Sequence, residues 1–154
     1  MYWAGWTGIV FADPVRRALA RLVQAIPIDP QRGAASSLAL GGAVLKRGMG
    51  LVWFPEGRRS EDGKLQPFMP GLGMLLEHFS VPVRGSGHHS WRIRGVATKP
   101  TAAAAQAITV QILPLVDTAH LEREGRGDKP SQRIVDALHA HLARSIEQAG
   151  SVAR

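Results

Sequence analysis

Gly50-Leu51-Val52-Trp53-Phe54 runs without a polar interruption straight into Pro55-Glu56-Gly57. A strand with one wetted face alternates polar and apolar side chains, whereas a strand without alternation is covered on both faces. The flanking segments supply helices for that cover. Asp13-Pro14 opens a helix, with Asp13 capping free backbone N–H groups and Pro14 suited to the first helical position. Val15, Leu19, Leu22 and Val23 then share one face, leaving Arg16, Arg17 and Arg21 for the other. Ile26-Pro27-Ile28 reads as a short buried strand, and Ala34 to Lys46 as a second helix stopped near Gly48. Gly41-Gly42 weakens the middle of that helix. A short helix around Gly73–His78 precedes a strand opened by Val81-Pro82-Val83. A further strand falls at Ile108–Leu113. The last helix starts at Pro130-Ser131 and carries Ile134, Val135, Leu138, Leu142 and Ile146. This alternation predicts an α/β fold, a mostly parallel sheet flanked by helices.

The chain has 154 residues, enough for one domain; we place it at 1–148, with a disordered tail at 149–154. With 45% hydrophobic and 20% charged residues it has the balance of a folded globular protein. The absence of cysteine excludes disulfides, thiolate metal sites and a cysteine nucleophile. No apolar run approaches the ~18–20 residues needed to cross a bilayer, and Met1-Tyr2-Trp3-Ala4-Gly5-Trp6 does not read as a signal peptide. Membrane contact is therefore expected to be peripheral. The net charge of +7 invites a polyanionic partner. Four of those charges, Arg84, Arg92, Arg94 and Lys99, sit in one stretch without an acid.

The segment richest in chemistry is Phe54-Pro55-Glu56-Gly57-Arg58-Arg59-Ser60, in a loop of three prolines and several glycines spanning 55–71. Gly57 lets the backbone turn and approach a ligand closely. Arg59 offers a planar fork of donors that matches a phosphate. Glu56, beside two arginines, is placed to orient them or a substrate hydroxyl. Taken alone, the same charges also fit a solvated loop of mixed sign. The wider context resembles the glycerol-3-phosphate and lysophosphatidate acyltransferase family. Residues 54–60 resemble its Phe-Pro-Glu-Gly-(Ser/Thr)-Arg-Ser motif at every position but Arg58, and Asp62-Gly63, Gln66-Pro67-Phe68, Pro70-Gly71 and Val81-Pro82-Val83 resemble its continuation. Ile26-Pro27-Ile28-Asp29 with Arg32 resembles the family's second motif. The likeness covers roughly residues 1–83 and 108–148.

That resemblance implies transfer of a fatty acyl group from acyl-CoA or acyl carrier protein to lysophosphatidate or a related glycerophospholipid. It implies acceptor-phosphate binding by Glu56, Gly57, Arg59 and Arg32, with no metal or redox cofactor and no nucleic-acid partner. The expected location is the cytoplasm, peripheral to the inner face of the membrane. Arg58 departs from the family's Ser/Thr, and a long cation there can alter which head group is accepted. The family's mechanism needs His-x-x-x-x-Asp, yet the fifth residues after His78, His88, His89, His120, His139 and His141 are Val83, Ile93, Arg94, Gly125, Arg144 and Ile146. None is acidic. The motif is thus expected upstream of Met1, in a domain cut short at its N-terminus. His139 and His141, two apart on a helix, read as surface residues, and Trp3, Trp6, Trp53 and Phe54 as core; a lesser reading puts Trp3 and Trp6 near an acyl tunnel or membrane interface. Two rival functions remain: an inactive phospholipid-binding relative, and a basic nucleic-acid-binding module suggested by the pI of about 11.0.

Residues 84–107 resemble nothing in the family and have no period, so we expect them to be irregular and to fail to complete the sheet. Codons permitted for Arg84 to Lys99, read one nucleotide out of frame, can spell an apolar strand ending in a glycine turn. A pair of compensating frameshifts near 84 and 107 would account for this. Source DNA whose codons forbid that second reading would end the idea.

Overall fold

The computed structural model describes residues 1–29, 34–57, 60, 64–89 and 109–152. In chain order these form β1 (Tyr2–Trp6), α1 (Thr7–Val10), α2 (Pro14–Leu22), β2 (Ala25–Ile28), α3 (Ala34–Lys46) and β3 (Leu51–Val52). There follow α4 (Pro70–Phe79), β4 (Val83–His89), β5 (Thr109–Val116), α5 (Thr118–Glu124) and α6 (Pro130–Val152). Three strands make a parallel sheet in the order β2-β1-β3, with Trp3 level with Ala25 on one side and Val52 on the other. The α/β fold with a helix-flanked parallel sheet is as the alternation predicts. Asp13 caps α2 as expected, its carboxylate accepting the Arg16 N–H at 2.8 Å.

Elements β1, α1 and α5 go beyond the sequence expectation, and β1 corrects the placement of Trp3 and Trp6. Along β1, Tyr2 and Ala4 face a small core with Ile26, Ile28, Val44 and Leu51. Strand alternation therefore sends Trp3 to the other face, and Trp6 ends the strand. Trp3, Trp6 and Phe54 are exposed by 45%, 53% and 61% rather than buried. Trp53 does pack inward, against this core and also against the larger one. The larger core is helical: Leu72 and Leu76 of α4, Leu121 of α5, and Ile134, Ala137, Leu138 and Leu142 of α6, together with Phe68.

The pair Gly41-Gly42 does not interrupt α3, and it lets Trp53, Leu75 and Phe79 approach that helix closely. At Gly73 the fit is tighter. An added Cβ would collide with the Ser131 carbonyl oxygen and lie 2.7 Å from Val135 Cγ2, so α4 and α6 meet backbone to backbone.

Two expectations for the second half are corrected. Residues 84–89 are not irregular: they belong to β4, which pairs antiparallel with β5 from Val83–Val116 to His89–Thr109, with a register shift between Arg84 and Ser86. An antiparallel pair can keep one face wet, so apolar cover on both faces is not needed. Arg84 and Ser86 are exposed, while Gly85 fits against Leu113 and Leu142. Among the described residues this pair forms a sheet of its own rather than extending the parallel one; the rest of the 84–107 stretch lies outside the described residues. Likewise α6 continues to Val152, through most of the tail expected at 149–154, because no proline stops it.

The Gly73 contact predicts that Gly73→Ala destabilises the protein by about 1–3 kcal/mol through overpacking, read as a lower urea midpoint. A midpoint raised by the ~1 kcal/mol that alanine brings to an open helix would contradict the packing described.

Candidate functional site

Beyond β3 the chain enters the loop that carries the motif. Trp53 roots the outgoing limb between the two cores, and Leu65 and Phe68 root the returning limb in the helical one. The outgoing limb turns at once: the Gly57 N–H donates to the Phe54 carbonyl at 3.2 Å. Gly57 has φ +67°, a left-handed conformation that other residues adopt only with strain. An added Cβ would also sit 3.2 Å from Met69 Cγ.

Two hydrogen bonds fasten the limbs together. The Met69 N–H donates to the Pro55 carbonyl at 2.7 Å, and the Gln66 N–H donates to Glu56 Oε2 at 2.8 Å. Met69 directly precedes α4, so this fastening is continuous with the α4–α6 packing. The described part of the loop is therefore not a solvated strip of mixed charge. Glu56 is half-buried and one of its oxygens holds backbone. Sequence reading does not assign that bracing role, since the bond joins positions ten residues apart.

Parallel topology decides where the second motif lies. β2 ends at Ile28 and β3 at Val52, and β1 runs between them in the same direction. The Asp29 loop and the Phe54–Gly57 turn thus leave the same end of the sheet, two strand spacings or about 10 Å apart. The carboxyl ends of strands in open α/β sheets are where ligands are held. Of the residues expected to bind phosphate, Glu56 and Gly57 are described and sit together; Arg32 and Arg59, with Arg58, lie outside the described residues.

Of the two late histidines, His139 is not the surface residue expected, whereas His141 is half-buried in a solvent-exposed pair. His141 Nε2 hydrogen-bonds Glu124 Oε2 at 2.6 Å, and His120 Nε2 approaches Oε1 at 3.1 Å. The His141 hydrogen bond holds the Glu124 carboxyl below the usual range, against an opposing desolvation effect. His139 meets Phe68 edge-on, with ring centroids 5.0 Å apart, because its helix face turns toward the α4 core. These contacts join α5 and the loop to α6.

The bracing predicts that Glu56→Ala exposes the Gln66 amide to hydrogen exchange. A hydrogen bond to a charged group is worth about 1.5–3 kcal/mol, so protection should fall at least about tenfold. Glu56→Gln, which keeps an acceptor, should lose less. Unchanged protection of Gln66 in Glu56→Ala would remove this role.

Comparison with known proteins places these features in a family. The acyltransferase family model matches residues 6–85, just over half of the chain. The 1-acyl-sn-glycerol-3-phosphate acyltransferase of Limnanthes douglasii is 31% identical over 112 residues, covering 68% of this chain and 38% of its own length. The Cocos nucifera enzyme of the same name is 29% identical over 116 residues, covering 73% of this chain and 34% of its own. The crystal structure of the 1-acyl-sn-glycerophosphate acyltransferase PlsC from Thermotoga maritima shares the fold, with a TM-score of 0.66 at 20% identity. That likeness covers 97% of this chain and 56% of PlsC. The chain thus spans little more than a third of the length of the curated relatives it matches. The matched region runs from the end of β1 through the braced loop into β4, and on that ground this chain belongs to the acyltransferase family.

Proposed function

We propose that the complete protein transfers a fatty acyl group from an acyl thioester, acyl-CoA or acyl carrier protein, to lysophosphatidate or a related glycerophospholipid. This chain contributes the acceptor-phosphate site. The observation that carries the reading is the braced turn at Phe54–Gly57, at the same sheet end as the Asp29 loop. Arg59 and Arg32, one from each motif, would bind the acceptor phosphate with charge-assisted hydrogen bonds. Gly57 leaves room for close approach, and Glu56 fixes the turn. Arg58, in place of a small hydroxyl, adds a cation that tunes head-group choice.

In the reaction the acceptor hydroxyl oxygen attacks the thioester carbonyl carbon. A C–O bond forms as the C–S bond breaks, and the hydroxyl proton leaves with the thiol. A base must take that proton in passage. No histidine here has the partnering acid five residues beyond it that the family's His-x-x-x-x-Asp pattern requires. The acyl thioester is the sole co-substrate, and the acceptor comes from a membrane that the protein meets peripherally, on its cytoplasmic side. Among the described residues, no such site supports the rival nucleic-acid reading.

The 154-residue chain alone should consume no thioester when given acyl-CoA and lysophosphatidate. Turnover by this chain would contradict the assignment of roles. In a longer protein that carries the His-x-x-x-x-Asp motif, Arg59→Lys should lower kcat/KM for the acceptor by about 10- to 150-fold, through loss of a bidentate hydrogen bond. Wild-type kinetics in that variant would remove Arg59 from the site.

A further inference from the structure

The returning limb of the motif loop is seated by Phe68, and Phe68 meets a histidine. Phe68 is 8% exposed in the helical core. It lies between Gln66 and Met69, whose N–H groups fasten the motif turn at Glu56 and Pro55. Whatever fixes the Phe68 ring therefore bears on both fastenings. The other buried members of that core are leucines, an isoleucine and an alanine. The ring paired with Phe68 is that of His139 on α6, with centroids 5.0 Å apart and planes at 72°. An aliphatic neighbour fills space with little directional preference, whereas two rings meeting edge-on set each other's orientation.

The position is an awkward one for a histidine. Its neighbours along α6, Ala137, Leu138 and Leu142, are buried core residues. His139 itself is half-buried, and its Nε2 is shut away from solvent with no hydrogen-bond partner among the described residues. A buried polar atom without a partner is destabilising, and a leucine of similar size would avoid that penalty. Residues that break a local rule in this way call for a reason, and they gather where geometry for function outranks stability.

We propose that His139 is a positioning residue for the phosphate-binding turn. Its ring orients Phe68, and Phe68 seats the limb whose Gln66 and Met69 amides hold Glu56 and Pro55. The contact comes from α6, outside the residues 6–85 that the family model matches. Its consequence for ligand binding rests on the proposed phosphate site, whereas the positioning itself is read from the two amides without any ligand.

The test compares the 154-residue chain with its His139→Leu and His139→Phe variants by amide hydrogen exchange and urea unfolding, then by titration with lysophosphatidate. His139→Leu keeps an apolar side chain but removes both ring and nitrogen. Protection of the Gln66 and Met69 amides should fall about 3- to 10-fold, as expected for the loss of an edge-on ring pair. The Leu121 amide, bonded to the Asp117 carbonyl at 3.2 Å, should keep its protection. The urea midpoint should match or exceed that of wild type, because the unpartnered nitrogen is gone. His139→Phe restores a ring, and should return both amides to within about twofold of wild type. Lysophosphatidate should shift the Gly57 amide in wild type and His139→Phe, with about 3- to 10-fold weaker affinity in His139→Leu. Unchanged protection in His139→Leu, or no recovery in His139→Phe, would overturn the proposal. So would protection lost at Leu121 as well, together with a lower midpoint, since His139 would then be an ordinary core contact. A wild-type chain that ignores lysophosphatidate, while the amides behave as stated, would instead remove the phosphate-site reading and leave the positioning role standing.

Discussion

The backbone of α4 lies against the first turns of α6 at Gly73, where any side chain would run into the Ser131 carbonyl and Val135. That approach sets the position of α4, and α4 begins one residue after Met69, whose N–H is bonded to the Pro55 carbonyl. The motif turn therefore inherits its position from a helix–helix contact in the core. Glu56 adds a second fastening through the Gln66 N–H, and Trp53 a third, wedged between the two cores. A loop built from glycine and proline would otherwise be free to wander. Here three independent anchors hold it, which is the preorganisation a phosphate site requires.

The parallel sheet makes the complementary contribution. With β1 between β2 and β3, both motif-bearing loops leave the same end of the sheet, although some twenty-five residues of chain separate them. Neither loop needs to be long to reach a shared ligand. Beside β2, helix α2 turns Val15, Leu19 and Leu22 outward and buries Ala20.

Much of this was legible in the residues. Asp13-Pro14 marks the start of α2 and Glu56-Gly57 marks the turn, whereas the unalternating Leu51–Phe54 run gives a strand only at Leu51–Val52, half-buried rather than covered on both faces. The bounds of α3 are those expected, despite Gly41-Gly42, because the glycines serve close packing rather than a break. The aromatic residues misled for a physical reason. Hydrophobicity ranks Trp3, Trp6 and Phe54 as core, but strand alternation and strand ends decide burial, and neither is visible until pairing is known. Residues 84–89 misled similarly, since a strand wetted on one face in an antiparallel pair tolerates arginine and serine. The role of Glu56 in holding Gln66 depends on a contact across ten positions, which no local pattern encodes. His141 gave no warning of Glu124 for the same reason.

The central claim is that the braced turn after β3 recognises a phosphate on a glycerolipid. Titrating the 154-residue chain with lysophosphatidate, and in parallel with a monoacylglycerol of the same chain length, measures this directly through the amide resonances of Glu56 and Gly57. The account predicts saturable shifts at both amides with lysophosphatidate and none of comparable size with the uncharged lipid. Equal shifts with both lipids, or shifts confined to residues elsewhere in the chain, would contradict it.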